Sequence, residues 1–185
     1  LIGFSQWFSN GRIEAQERKI GKLANRIEVL KAGQVPLRFR ITEKNDTAIA
    51  VNLACYDARG KQLGKKAFWL KGKELAFDFI VVSLNGHKLA FPYKLFSDET
   101  PPDDGFSLIP LYDNKGFPAT FANAGYPRAV REGLEALFAK VKAGQTESLT
   151  KSYGSAVHDL KSVHEFLPGQ TYKIVARTKG GIEVM

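Results

Sequence analysis

Residues 48–98 read AIAVNLACYDARGKQLGKKAFWLKGKELAFDFIVVSLNGHKLAFPYKLFSD, and they decide the fold of this chain. Apolar and polar side chains alternate along residues 48–56, which is the two-residue period of a half-buried strand. Further strands are predicted over residues 63–70, 74–84 and 87–95. The dipeptide Asn85-Gly86 is the typical signal of a tight hairpin, because a type I′ turn needs positive φ at both central positions. The stretch therefore predicts an antiparallel meander with the third strand, which is apolar on both faces, at its centre.

The same pattern of short strands continues on both sides of this stretch. Strands are predicted over residues 37–42, 106–112, 117–121, 171–177 and 182–185. Many short strands with turns at roughly 8 to 12 residue spacing are typical of antiparallel sandwiches and barrels. We therefore predict a mainly β fold over residues 34–185, an antiparallel β-sandwich of the immunoglobulin-like or a related type.

A helical insertion is predicted between the late strands, at about residues 127–160. Apolar positions after Pro127 follow a helical period, glutamates come early and lysines late, and Gly144 ends the pattern. The segment over residues 146–160 has two interpretations. Its apolar spacing fits a second helix, whereas Gly154 favours a break with a strand after it.

Composition indicates a folded chain. Its 185 residues are 44% hydrophobic and 25% charged, values that exclude wholesale disorder. Cys55 is the one cysteine, so the chain can form no intramolecular disulfide and no zinc site built from several cysteines. Its place on the inward face of a strand predicts a buried, unreactive thiol.

The formal net charge of +8 invites a nucleic-acid or anionic-membrane interpretation. The positive residues, however, are spread along the chain. Their densest run, residues 59–73, falls on a predicted hairpin whose outer face is expected to be charged in any case. The charge distribution therefore argues against a nucleic-acid partner.

Residues 1–33 are predicted to be a membrane-proximal unit outside the sandwich. The chain starts with the apolar residues Leu1, Ile2, Phe4, Trp7 and Phe8, followed by the basic Arg12. Such a pattern is typical of the outgoing end of a membrane segment with interfacial aromatic residues. We expect a membrane-spanning or export segment upstream of Leu1, and thus a membrane-anchored, extracytoplasmic location. The alternative is a short apolar element that docks on the domain.

A heptad repeat follows this start. Its apolar positions are Ile13, Ile20, Leu23, Ile27 and Leu30, with Gln16 as the polar interruption. Isoleucine at position a and leucine at position d favour parallel two-stranded coiled coils. An isolated helix of this length is marginal in water and needs a partner. The repeat therefore predicts either a homodimer through these side chains or packing of the helix on its own domain.

An acidic loop is the best candidate ligand site in the sequence. The candidate ligand-binding residues are Asp98, Glu99, Asp103 and Asp104, with Tyr112 and Asp113 nearby. Carboxylate oxygens suit calcium, and aromatic rings near the loops, including Trp69, suit sugars. The alternation of a helix-loop-helix calcium loop is missing, and a solvated acidic loop is the alternative. We predict no cofactor and no other metal.

No catalytic residue is predicted. Ser148 and Lys151 match the Ser-x-x-Lys pattern of penicillin-binding enzymes, but the accompanying motifs are in the wrong order or incomplete. The histidines lack the i, i+4 spacing of zinc sites. The leading hypothesis is a non-catalytic, membrane-tethered, extracytoplasmic interaction domain with a protein or envelope partner. The alternatives are a glycan- or calcium-binding module and, third, a serine/lysine acyl-transfer enzyme.

Overall fold

A computed structural model describes residues 33–163, 165–177 and 179–185 of the chain. These residues form a mainly β fold with two antiparallel sheets, of five and four strands, and two α-helices. The strands are β1 (Gln34–Lys44), β2 (Ala48–Tyr56), β3 (Gln62–Lys71), β4 (Leu75–Leu84), β5 (His87–Ser97), β6 (Phe106–Ser107), β7 (Asp113–Asn114), β8 (Phe117–Pro118), β9 (Ala156–Val163), β10 (Thr171–Ala176) and β11 (Ile182–Val184). The helices are α1 (Arg128–Ala143) and α2 (Thr146–Tyr153).

The five-stranded sheet has the strand order β11-β10-β1-β2-β3, and the four-stranded sheet has the order β6-β5-β4-β9. Strands β7 and β8 form a separate two-stranded ribbon. The two larger sheets contact each other through their apolar faces, where the ring centroids of Phe39 in β1 and Phe77 in β4 lie 4.9 Å apart. The core therefore lies between these sheets and continues, on the other face of the four-stranded sheet, under the helices.

Strand β4 is central, as its sequence predicts. Its first eight residues are buried, because one face packs on the five-stranded sheet and the helices cover the other. Phe91 of β5, the direct partner of Ile80, stacks on Phe138 of α1 at a centroid distance of 6.0 Å. The predicted hairpin after β4 is confirmed, since Asn85 and Gly86 have φ values of 50° and 80°.

The two helices confirm a helical insertion, whereas its predicted end at about residue 160 is wrong, because the second helix ends at Tyr153 and Ala156–Val163 is a strand. The buried residues of α1 are Val130, Leu134, Leu137, Phe138 and Val141, which form the apolar stripe seen in the sequence. The helix ends at Gly144 in the left-handed conformation, where a glycine is favoured. Gly154 ends α2 in the same way, and β9 begins two residues later. The break at Gly154 was thus the correct interpretation.

The predicted single meander is wrong. Strands β3 and β4 belong to different sheets, so the turn after Lys71 passes the chain from one sheet to the other. The physical reason lies in the two burial patterns. Trp69 of β3 is exposed between buried neighbours, so β3 needs cover on one face, whereas β4 needs cover on both.

The predicted strands over residues 106–112 and 117–121 are wrong in extent. The chain there forms two-residue strands and short 3-10 helices at Ile109–Leu111 and Ala119–Phe121. Pro110 and Pro118 explain the difference, because proline cannot donate a ladder hydrogen bond. The predicted heptad contacts Ile13, Ile20, Leu23, Ile27 and Leu30 lie outside the described residues.

Candidate functional site

The outer face of the five-stranded sheet, which faces away from the core, gathers positive charge. Side chains in register across neighbouring strands share a face, and two adjacent rows of such residues cross strands β10, β1, β2 and β3. The first row is Lys173, Arg38, Ala54 and Lys65, and the second row is Thr171, Arg40, Asn52 and Ala67. This face therefore brings together cations from three strands that are far apart in the sequence.

Alternation along β1 and β2 explains the shape of this face. Arg38 and Arg40 point outward because Leu37, Phe39 and Ile41 are buried in the core. Strand β2, next to β1, contributes the small outward side chains of Ala54 and Asn52, with the larger Tyr56 at its end. Small side chains of β2 therefore form the bottom of a shallow groove, and longer basic side chains of β1 and β3 stand on its two sides.

These residues enclose a surface cavity of about 490 Å³, which we call the basic trough. Its lining residues are Arg38, Phe39, Arg40, Asn52, Leu53, Ala54, Tyr56, Gln62, Lys65, Lys66, Ala67 and Thr171. Four of these described residues are cations and none is a carboxylate. A cavity of this size is in the range of ligand sites in proteins.

Arg38 is the most constrained cation of the basic trough. Its guanidinium carbon lies 4.9 Å from the centroid of the Tyr56 ring, a cation–π distance. Its Nε atom is buried and has no hydrogen-bond partner among the described residues. Buried polar atoms normally have partners, and this donor would gain one if the Arg38 side chain turned toward a bound acceptor.

Trp69 extends the basic trough with an aromatic surface. It lies two residues after Ala67 on the outer face of β3, opposite Ala50 of β2. The residue is 59% exposed, although tryptophan is mostly buried in folded proteins. The face therefore combines positive charge, neutral hydrogen-bonding side chains and an exposed ring.

The arrangement is suited to binding oxyanions. Guanidinium groups donate two parallel hydrogen bonds to a carboxylate or phosphate, and ammonium groups add positive charge. Sequence reasoning missed this site because each cation, taken alone, fits the outward position of a half-buried strand. The available signal was the run of small outward residues in β2 beside two arginines in β1.

The predicted acidic ligand residues are engaged with different parts of the fold. One Asp98 oxygen accepts hydrogen bonds from the N–H groups of Lys73 and Glu74, at 2.8 and 3.1 Å. The hydrogen bond from Glu74, and after it the one from Lys73, lowers the pKa of Asp98 below its usual value. Asp98 thus stabilises the crossing from β3 to β4. Glu99, Asp103 and Asp104 are exposed, the last two in a 3-10 helix at Pro102–Asp104.

Asp113 lies at the base of the β7-β8 turn. It accepts a hydrogen bond from the Gly116 N–H at 2.8 Å, which lowers its pKa, and Lys142 lies 3.1 Å away. Among the described residues, no three histidine, cysteine, aspartate or glutamate side chains form a group that could hold a metal ion. A calcium site in this region stays a prediction.

Tyr112 is part of the core and not of the surface. Its hydroxyl donates a hydrogen bond to the carbonyl oxygen of Pro92 at 2.5 Å. Burial raises the pKa of Tyr112 well above its usual value. This hydrogen bond ties the loop before β7 to β5 at the irregular pairing of β4 and β5.

Tyr112→Phe is expected to lower the free energy of unfolding by about 1–2 kcal/mol, because the buried Pro92 carbonyl loses its donor. Urea unfolding of both proteins measures this difference. Tyr93→Phe, which changes a half-buried tyrosine of β5, is the control and is expected to change stability less. Equal losses in the two variants would contradict the importance of the Pro92 hydrogen bond.

Asp78 of β4 is a second charged group that sequence reasoning missed. Its carboxylate is 5% exposed and contacts His158 Nδ1 of β9, with an Oδ2–Nδ1 distance of 2.8 Å. Burial raises the pKa of Asp78, although the hydrogen bond and electrostatic attraction from His158 act in the opposite direction. The pair links two strands whose partner residues are 80 positions apart in the chain.

A carbon-13 NMR titration measures the pKa of each carboxyl group. The pKa of Asp78 is expected above the ordinary aspartate value of 3.8, and the pKa values of Asp98 and Asp113 below it. The stability contributed by Asp78 is therefore full below pH 3.8 and is lost as the pH rises through its raised pKa. The stability contributed by Asp98 is present above pH 3.8 and is lost as the pH falls through its lowered pKa. An Asp78 midpoint at or below that of Asp98 would refute this assignment.

The Ser-x-x-Lys pair lies on α2. There the Nζ atom of Lys151 forms an ion pair with the Glu147 carboxylate at 3.7 Å. The cysteine prediction is consistent with the structure, because Cys55 is buried and burial raises its pKa to about 12. Its thiol therefore remains protonated at neutral pH.

In the described part of the chain, no helix combines the length and apolar character needed to cross a membrane. Comparison of the chain with protein-family models, with curated proteins and with solved structures finds no match. Function has therefore to be argued from the site itself.

Proposed function

We propose that this chain is a non-catalytic interaction domain and that the basic trough is the surface that contacts a negatively charged partner. The observation that supports the proposal is the lining of the basic trough, with four cations and no carboxylate among its described residues. Arg38, whose buried Nε has no described partner, would gain one by turning toward a bound anion. Together these groups provide charge complementarity for an anion.

The electrostatics of the face support the same proposal. Like charges gathered on one surface repel each other, and an anionic partner relieves that repulsion when it binds. A concentrated positive surface also speeds the encounter with a negative partner and makes binding sensitive to salt. We therefore expect affinity for the partner to fall as ionic strength rises.

Calorimetric titration with tripolyphosphate, a probe that offers charge alone, tests the contact surface. Arg38→Gln combined with Arg40→Gln is expected to weaken binding about 10- to 100-fold, because charge-assisted hydrogen bonds are worth about 1.5–3 kcal/mol each in buried settings and less when exposed. The unfolding midpoint of the variant is measured in parallel, to separate a loss of contact from a loss of fold.

A matched control removes the same charge elsewhere. Arg131→Gln combined with Lys140→Gln changes two exposed cations of α1 and is expected to leave affinity within about twofold. Equal weakening by both double variants would show that net charge, and not the basic trough, holds the probe. Binding that survives the Arg38 and Arg40 changes would refute the proposed contact surface.

The proposal also includes an arrangement of the two sheets and a tether. The Phe39–Phe77 contact supports a β-sandwich of the immunoglobulin-like or a related type. The apolar, aromatic start of the chain supports a membrane tether upstream of Leu1, an extracytoplasmic location and a protein or envelope partner. The sequence upstream of Leu1 in the gene product tests the tether, and a wholly polar upstream segment would remove it.

The proposed homodimer rests on the heptad positions Ile13, Ile20, Leu23, Ile27 and Leu30. Sedimentation of the parent and of the variants Ile20→Asp and Leu23→Asp measures the mass in solution. A dimeric parent and monomeric variants would support it. The same monomeric mass for all three proteins would remove it.

A further inference from the structure

The neutral side chains of the basic trough provide a second kind of contact. Asn52, Gln62 and Thr171 line it together with the cations. Amide and hydroxyl groups both donate and accept hydrogen bonds, whereas lysine and arginine only donate. A ligand made only of anionic groups would leave the acceptors unused, while a ligand that also carries hydroxyl groups would satisfy both kinds of side chain.

Trp69 adds a flat apolar surface on the same face. Its exposed ring lies one row beyond Asn52 and Ala67, on the adjoining part of β3. The C–H groups on one side of a sugar ring pack well on the electron-rich face of an indole. Charge, hydroxyl-binding groups and an aromatic platform are the three features that an acidic sugar chain would use.

Two other polyanions fit this surface less well. Sites for single-stranded nucleic acids stack successive bases on several aromatic rings. Here Tyr56 already packs against the Arg38 guanidinium, which leaves Trp69, among the described residues, as the exposed ring beside the basic trough. Acidic peptides commonly add a strand at an open sheet edge. The basic trough instead lies on the outer face of the sheet, over β1, β2 and the edge strand β3, and not in the plane of the sheet where an added strand would pair.

We infer that the basic trough binds a carboxylate-bearing glycan, with Arg38 and Arg40 on the carboxylates and Trp69 against a sugar ring. This inference rests on the proposed function, because it names the partner of the same surface. The guanidinium forks match the planar geometry of carboxylates. Asn52, Gln62 and Thr171 then bind hydroxyl groups of the sugars.

Calorimetry of the 185-residue chain with a galacturonic acid hexasaccharide tests the inference. Its neutral methyl ester is expected to bind at least about tenfold more weakly, because the charge-assisted hydrogen bonds are lost. Trp69→Ala is expected to weaken binding of the acidic hexasaccharide about 3- to 10-fold, the range of a single aromatic contact. Tripolyphosphate, which has no sugar ring, is expected to bind Trp69→Ala and the parent equally.

Phe106→Ala is the matched control, since Phe106 is a second exposed aromatic residue and belongs to the other sheet. It is expected to leave affinity for the hexasaccharide unchanged. A single-stranded thymidine oligonucleotide is titrated in parallel, and tighter binding of that probe than of the hexasaccharide would overturn the glycan in favour of nucleic acid.

The outcomes separate the two proposals. If tripolyphosphate binding requires Arg38 and Arg40, but the hexasaccharide does not bind or is insensitive to Trp69→Ala, the glycan inference fails and the contact surface stands. If neither probe depends on the two arginines, both proposals fail. If the hexasaccharide depends on the arginines and on Trp69, both are supported.

Discussion

Phe77→Ala is expected to lower the free energy of unfolding by about 3–5 kcal/mol. Phe77 has no exposed surface, and its ring lies against Phe39 across the interface between the two sheets. Its direct strand partners are Leu95 on one side and Lys161 on the other, so it is held in the middle of the four-stranded sheet. The truncation leaves a cavity that neither sheet can fill without moving.

Urea unfolding of parent and variant measures this loss. Trp69→Ala, an aromatic truncation at an exposed site, is the matched control and is expected to cost less than about 1 kcal/mol. Should Phe77→Ala fail to fold, Phe77→Leu is expected to fold with a smaller loss of about 1–2 kcal/mol. Equal effects of the Phe77→Ala and Trp69→Ala changes would contradict the proposed core.

Gly64→Ala is expected to lower the free energy of unfolding by about 1–3 kcal/mol through overpacking. A Cβ atom at this position of β3 would lie 2.5 Å from the Leu111 carbonyl oxygen and 3.0 Å from the Leu111 Cα. Both atoms belong to the backbone of a 3-10 helix, so no side chain can rotate away. Either β3 or that helix has to shift.

Gly133→Ala is a control with the opposite expected effect on the free energy of unfolding. Its added Cβ would meet the Leu84 side chain at 3.4 Å, an ordinary contact, and alanine favours the interior of α1 over glycine. We expect it to raise stability by about 0.5–1 kcal/mol in the same urea series. A neutral Gly64→Ala change would contradict the close contact between β3 and the backbone of Leu111.

Local sequence patterns predicted the parts of the fold that local chemistry controls. Asn85-Gly86 specifies its turn because few other residues accept positive φ, and the structure has that turn. The two apolar faces of residues 75–82 predicted a strand covered on both sides. The αL end of α1 at Gly144 follows from the same kind of reasoning.

The assignment of strands to sheets could not be predicted in this way. A glycine turn such as the one after Lys71 is compatible with a hairpin and with a crossing between sheets, and only the partners decide. The partner of β4 on its second edge is β9, which lies beyond both helices. Non-local pairing of this kind leaves no periodic signal in either segment.

The candidate site was missed for a different reason, since its four cations lie on β1 and β3 and each one alone fits an ordinary half-buried strand. Strand β10 adds Thr171 beside Arg40 of β1, and no local pattern encodes that pairing. In the acidic loop, by contrast, residues that are close in sequence do not form a common site. Its carboxylates are close in sequence, but Asp98 is bound by the N–H groups of Lys73 and Glu74, while Asp103 and Asp104 remain exposed.

The position of β4 between β5 and β9 has a consequence for biosynthesis. A nascent chain that has emerged only as far as α2 exposes one whole edge of an apolar strand, because β9 has not yet left the ribosome. Long-range pairing of this type slows folding and exposes intermediates to aggregation. Premature termination before Ala156 therefore leaves an apolar strand with an unpaired edge, which favours aggregation.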